Sequence, residues 1–179
     1  MSYGRTAVGL HWLMALLILA AFPLGYYMAG LTLSPWKLKL YSWHKWIGVT
    51  VFLLAATRLG WRAAHPAPAW PASLMPWETR LAGAAHALLY LLMFAVPLSG
   101  WLMSSAAGFR VVYLGLMPLP DLVGKDKALA DFLVWVHHYL TTVLGLLVLG
   151  HVAAALKHRL IDRDGTLARM APFLQGENR

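Results

Sequence analysis

The sequence predicts an all-α membrane protein, a bundle of four transmembrane helices, and three observations carry that expectation. Of 179 residues, 60% are hydrophobic and only 12% are charged, far from the balance of a soluble globular chain. Four apolar runs are each long enough to cross a hydrocarbon core of about 30 Å as a helix. Inside those runs lie histidines, and polar side chains at membrane depth are costly enough to mark function.

The first span is expected at 7–29, opening after Arg5. Its charged start and MALLILAA run imitate a signal peptide, but the apolar stretch is too long and contains His11 and Trp12. A loop with Lys37 and Lys39 leads to the second span at 42–61, with His44 in its first turn and Arg58 and Arg62 at its exit. The proline-rich AHPAPAWPASLMP that follows cannot continue a helix. The third span, 81–103, holds His86 and a Pro97 expected to kink it. The connection 104–130 is the longest, with room for an interfacial helix. The fourth span is 132–156, and a basic tail leaves the membrane after it. The whole chain reads as one membrane domain.

Four spans put both termini on one side. That side carries Arg5, Arg58, Arg62, Arg80, Lys157, Arg159, Arg163, Arg169 and Arg179, nine cations against six (Lys37, Lys39, Lys45, Arg110, Lys125, Lys127) on the other. The positive-inside rule therefore expects cytoplasmic termini. Trp12, Trp43, Trp46, Trp61, Trp77, Trp101 and Trp135 stand near span ends, where interfacial anchors belong. The net charge of +8 is read as basic residues at the membrane rim, attracted to anionic lipid, and not as a nucleic-acid footprint. With no cysteine, disulfides, thiolate-held iron–sulfur clusters and covalently attached haem are excluded.

The fourth span organises the rest. His137 and His151 are 14 residues apart, which brings them to within about 40° of one helix face and roughly 21 Å apart along the axis. His138 falls on nearly the opposite face from His151. Depth sorts the inward histidines into two layers: His11, His86 and His151 near the termini, His44 and His137 opposite. A hydrogen bond to a neighbouring helix explains a single intramembrane histidine; five at two matched depths call for more. A b-type haem takes two imidazoles from facing helices of a bundle, so the opposite layer offers His44 with His137, while the terminal layer has one histidine too many. The spans contain no carboxylates, which makes zinc or another bare metal ion the poorer reading. Arg58 suits either a lipid phosphate or a haem propionate, and Lys45 could serve likewise opposite. His65 and His158 read as solvated or headgroup contacts, and no methionine is assigned as a ligand.

GLHW (9–12), WHKWIG (43–48), YLLMFAVPLSGWLM (90–103), the His137 to His151 spacing and DGTLARMAP (164–172) together resemble the bacterial cytochrome b561 family. No one motif is very specific; their order and spacing are, over essentially the whole chain. The resemblance implies a four-helix inner-membrane cytochrome with two b haems exchanging electrons with the quinone pool. It implies His11 and His151 as ligands of the cytoplasmic-side haem, His44 and His137 as ligands of the periplasmic-side haem, and His86 as a supporting or quinone-site residue. The expected activity is transmembrane electron transfer by bis-His haems, with ubiquinone as partner and superoxide as a donor steered by the outer lysines, a superoxide:ubiquinone type of oxidoreductase. The alternatives are a haem-b anchor subunit of a dehydrogenase or hydrogenase and, from another class, a non-redox metal or proton transporter. A redox partner protein and membrane lipid complete the expected partners.

Overall fold

Capping residues, not the ends of the apolar runs, set where the helices of this computed structural model begin. The structure describes residues 3–71 and 74–172; Arg179, counted above among the terminal-side cations, and Ala72 and Ser73 of the proline-rich linker lie outside them. Helix α1 runs Arg5–Ala29, α2 Pro35–Ala64, α3 Pro76–Ala106 and α4 Lys127–Lys157. All four are long and apolar enough to cross a membrane. The Ser34 hydroxyl accepts from Lys37 N at 3.2 Å, with Pro35 opening α2. Glu78 accepts from Met75 N at 3.0 Å ahead of α3, and Asp126 accepts from Leu129 N at 3.0 Å to start α4. Each device satisfies an otherwise orphaned N–H. Hence α2, α3 and α4 begin several residues before the expected spans: hydropathy reports the hydrocarbon slab, whereas the helices continue into the polar rim. Lys37 and Lys39 accordingly lie in the first turns of α2, not in a loop.

Successive helices pack on one another, α1 on α2, α2 on α3 and α3 on α4. Helix α4 closes toward α1 at Gly145, where an added Cβ would stand 3.2 Å from the Phe22 ring. At mid-depth Met14, Val51, Ala55 and Met93 form a buried cluster drawn from α1, α2 and α3. Ala106, Ala130 and Leu133 form another where α3 and α4 meet, small side chains allowing the close approach that membrane helices use in place of a hydrophobic drive. Helix α3 continues through Pro97.

The 104–130 connection departs from expectation. It contains no interfacial helix; strands β1 (Val112–Tyr113) and β2 (Met117–Pro118) form a short antiparallel ribbon. Gly108 and Gly115 take positive φ (78° and 73°) and Leu114 joins them at 53°, conformations that end helices. Pro118 and Pro120 remove two further helix donors.

After α4, a π-helical turn at His158–Asp162 and a left-handed Arg163 reverse the chain, and a 3₁₀ turn spans Leu167–Arg169. The described part of the tail, rather than simply leaving the membrane, lies across the helix ends. Trp12 Nε1 donates to the Met170 carbonyl at 2.7 Å, and Arg169 Nη1 to the Ala69 carbonyl at 2.7 Å. His158 is not a solvated side chain either: its Nδ1 lies 3.0 Å from Asp162 and 2.8 Å from Asp164. Burial raises the Asp164 carboxyl, but hydrogen bonds from Thr166 and the neighbouring His158 outweigh it and hold the group below the usual carboxylate range.

Candidate functional site: two imidazole pairs in the bundle

The histidines form two groups inside the bundle. On the side away from the termini, His44 of α2 faces His137 of α4 with ring centres 6.4 Å apart. Beside the termini, His11 of α1 faces His151 of α4 at 6.2 Å. His86 of α3 is closer to His151, at 5.4 Å in an edge contact, and its ring also stacks near Trp70 at 6.3 Å. The spacing separates these contacts. An imidazole nitrogen sits about 2 Å from a metal it binds, with the ring centre roughly 1.1 Å further back, so two imidazoles across one metal have centres about 6 Å apart. The 6.2 and 6.4 Å pairs have that spacing; the 5.4 Å contact is tighter.

The His44–His137 pair lines a partly open apolar cleft to which all four helices contribute: Phe22, Gly48, Pro97 and Leu144 are among its walls. Two glycines seat the imidazoles. A Cβ at Gly25 would lie 3.0 Å from His44 Cε1, and one at Gly100 would lie 3.1 Å from His137 Cε1. Any larger residue at either position must displace a ring.

Hydrogen bonding then sets the proton on His137. The Ser99 hydroxyl donates its one hydrogen to the Val96 carbonyl at 2.7 Å, so toward His137 Nδ1, at 2.9 Å, it can only accept. Nδ1 therefore carries the proton and Nε2 keeps its lone pair, the arrangement a metal-binding histidine needs. His44 Nδ1 is buried with no hydrogen-bond partner among the described residues; the Ala21 carbonyl approaches this ring without completing a bond to that nitrogen. A buried unsatisfied imidazole nitrogen is costly unless a ligand takes it up.

The terminal-side layer is wired differently. Arg58 Nη1 donates to His11 Nδ1 at 3.0 Å, and a guanidinium has no acceptor, so this nitrogen holds a lone pair. The same guanidinium lies 5.9 Å over the Tyr90 ring, a cation–π contact. On the opposite side Lys45 Nζ donates to the Phe109 carbonyl at 3.4 Å while its stem lines the cleft. His65 is exposed and stacks on Trp61 at 3.9 Å.

The family model of prokaryotic cytochrome b561 matches residues 2–173. The chain belongs to that family. It is 36% identical over 169 residues to cytochrome b561 homolog 2 of Escherichia coli (strain K12), spanning 94% of this chain and 90% of that protein. It is 30% identical over 181 residues to a probable superoxide oxidase, CybB, of Yersinia pestis, spanning 98% of both chains. Cytochrome b561 homolog 1 of Escherichia coli (strain K12) is 27% identical over 174 residues, spanning 95% of this chain and 97% of that protein. Membership makes this a multi-pass bacterial membrane protein of electron transfer, and the family's cofactor is haem b.

The residues present fit a b haem. An unpartnered buried nitrogen on His44, a His137 tautomer with Nε2 free, ring seats at Gly25 and Gly100, and an apolar cleft between the imidazoles are compatible with that group. Ser99, Gly25 and Gly100 do not stand out in the sequence as site residues. A signal for the glycines is there, since glycine inside an apolar helix commonly marks a close approach. Ser99 carries none, because a serine in a membrane helix most often bonds its own backbone.

Proposed function

We propose that this cytochrome carries two b haems, each between two histidines, and moves electrons across the membrane between a donor at one face and the quinone pool. The observation that carries the reading is the two imidazole contacts, His44–His137 at 6.4 Å and His11–His151 at 6.2 Å, each wide enough to admit one metal ion and both anchored on one face of α4. Haem held by these histidines would supply reversible one-electron chemistry, and two histidines to each iron would leave no position for oxygen chemistry there.

The chain's own residues hold and tune. Ser99 fixes the His137 proton on Nδ1, and Gly25 and Gly100 fix ring positions. Arg58 is the group to neutralise a haem propionate on the terminal side: moving from His11 Nδ1 to a carboxylate exchanges a neutral acceptor for a charged, bidentate one. It also lets His11 hold its proton on Nδ1, as His137 does. Lys45 is placed to act alike on the opposite side. His86, wedged between His151 and Trp70, is the residue we assign to quinone contact. The kinship with a probable superoxide oxidase favours superoxide as the donor, with Lys37, Lys39, Lys45, Lys125 and Lys127 drawing the anion to the face opposite the termini.

The purified protein is expected to hold two haems b per chain by pyridine haemochrome, low-spin when oxidised and when reduced. A ratio near one, or a high-spin signal from intact protein, would overturn the two-site assignment. The termini are proposed to face the cytoplasm. A reporter fused after Arg179 should behave as cytoplasmic and one inserted at Gly124 as periplasmic; the reverse pattern would exchange the sides of the two layers.

A further inference from the structure

From Val111 to Pro120 the connection between α3 and α4 reads VVYLGLMPLP, ten residues without a charge. Its charged residues stand at the base instead, where Arg110 pairs with Asp121 at 3.4 Å. The ribbon does not stand out from the helix ends; it lies along the side of α2. Trp46 Nε1 donates to the Val112 carbonyl at 2.7 Å, and the Tyr113 hydroxyl meets Thr50 Oγ1 at 2.9 Å. Trp46 follows Lys45, the innermost cation of α2 on this side, and Thr50 lies five residues beyond that lysine, so the Thr50 contact is about 7.5 Å inward of that charge along the helix. The ribbon thus reaches past the last charge of this rim, beside helices long and apolar enough to cross a membrane.

The tip of the ribbon is nonetheless bare. Leu114 is 51%, Leu116 85% and Met117 58% exposed. Leu114 holds φ 53°, where asparagine or glycine would be less strained, so apolarity is kept at a cost in backbone energy. Several of the ribbon's backbone donors bond internally, which lowers the cost of contact with hydrocarbon. Leu116 N donates to Tyr113 O at 3.0 Å, Leu119 N to Val111 O at 2.8 Å and Gly115 N to Val112 O at 3.4 Å. Pro118 and Pro120 have no N–H to satisfy.

We propose that this ribbon is a membrane wedge: its tip, Leu114, Leu116 and Met117, inserts among the upper acyl chains of the leaflet opposite the termini. The occupant of the bare apolar tip is lipid, because the ribbon packs on the flank of α2, a helix apolar and long enough to cross the membrane, and carries no charge of its own. Val111, 3% exposed, lines the cleft beside His44 and Lys45, so the wedge also holds the outer wall of that cleft against the bundle.

The absence of native cysteine makes the test direct. Leu116→Cys and, as a second site, Met117→Cys are spin-labelled in the full-length haem-loaded protein in neutral-lipid nanodiscs, with Gly124→Cys as a reference in the same connection. Collision with oxygen, which concentrates in lipid, is compared with collision with a water-soluble nickel chelate. The expected oxygen-to-nickel ratio is several-fold higher at 116 and 117 than at 124. Equal ratios at the three sites would overturn the proposal and leave the ribbon in water. Shielding from both reagents, with dipolar broadening that disappears on dilution with unlabelled protein, would overturn it in favour of a second copy of the chain.

Discussion

His44→Ala and His137→Ala should each lose the same haem and keep the other, halving the haem content from two per chain to one. His11→Ala and His151→Ala should lose the complementary haem. The two rings of each pair stand 6.4 and 6.2 Å apart, whereas His137 and His151 are separated by about four turns of α4, roughly 21 Å, and cannot meet at one iron. A haem left with one protein imidazole is held poorly, so loss rather than a small shift is the expected outcome. Potentiometric titration of each variant against the two components of the parent makes the measurement. Should His86→Ala remove a component while His11→Ala spares it, His86 is the partner of His151. Should His44→Ala and His151→Ala remove the same component, the two-layer arrangement fails altogether.

Gly100→Val should remove the low-spin signal of the His44–His137 haem without touching a ligand. A Cβ at position 100 already lies 3.1 Å from His137 Cε1 and 3.4 Å from its Nδ1, so alanine requires the ring to yield by a few tenths of an ångström. Valine adds two methyl groups to a site with no room, and overpacking of this kind costs about 1–3 kcal/mol before any lost metal bond is counted. The displaced ring would also lose Ser99, now at 2.9 Å from Nδ1. Gly100→Ala should therefore keep the haem with an altered potential, and Gly100→Val should lose it or convert it to high spin. Gly83→Val is the control, since a Cβ there meets nothing within 4 Å. Two unaltered low-spin haems in Gly100→Val would show that the His137 seat is not needed.

Much of this protein is legible in its residues because a membrane simplifies the code. Hydrocarbon demands helices for lipid-exposed spans, so four apolar runs announce four spans, and histidines counted from the charged rims fall into two depths by arithmetic alone. The ends of the helices are less legible. Ser34, Glu78 and Asp126 extend α2, α3 and α4 past the apolar runs through single capping bonds that hydropathy does not register. The 104–130 connection misleads for a related reason: its length leaves room for an interfacial helix, while Gly108, Gly115, Pro118 and Pro120 forbid one and turn the same residues into a ribbon.

By itself, then, the sequence determined the relative depths of the five inward histidines, the face that His137 and His151 share on the fourth helix, and the charge at either rim, since 3.6 residues per turn and 1.5 Å per residue translate position into both coordinates. The tertiary structure decided what depends on one helix relative to another. The rotation and approach of α1 and α3 about α4 place His11 at 6.2 Å and His86 at 5.4 Å from His151, and no periodicity within a single helix encodes that difference. The same packing brings Ser99 of α3 to His137 of α4, Gly25 of α1 to His44 of α2, and Arg58 of α2 to His11 of α1. Each is an interhelical contact between residues 19 to 47 positions apart, fixed by how side chains interlock in the bundle.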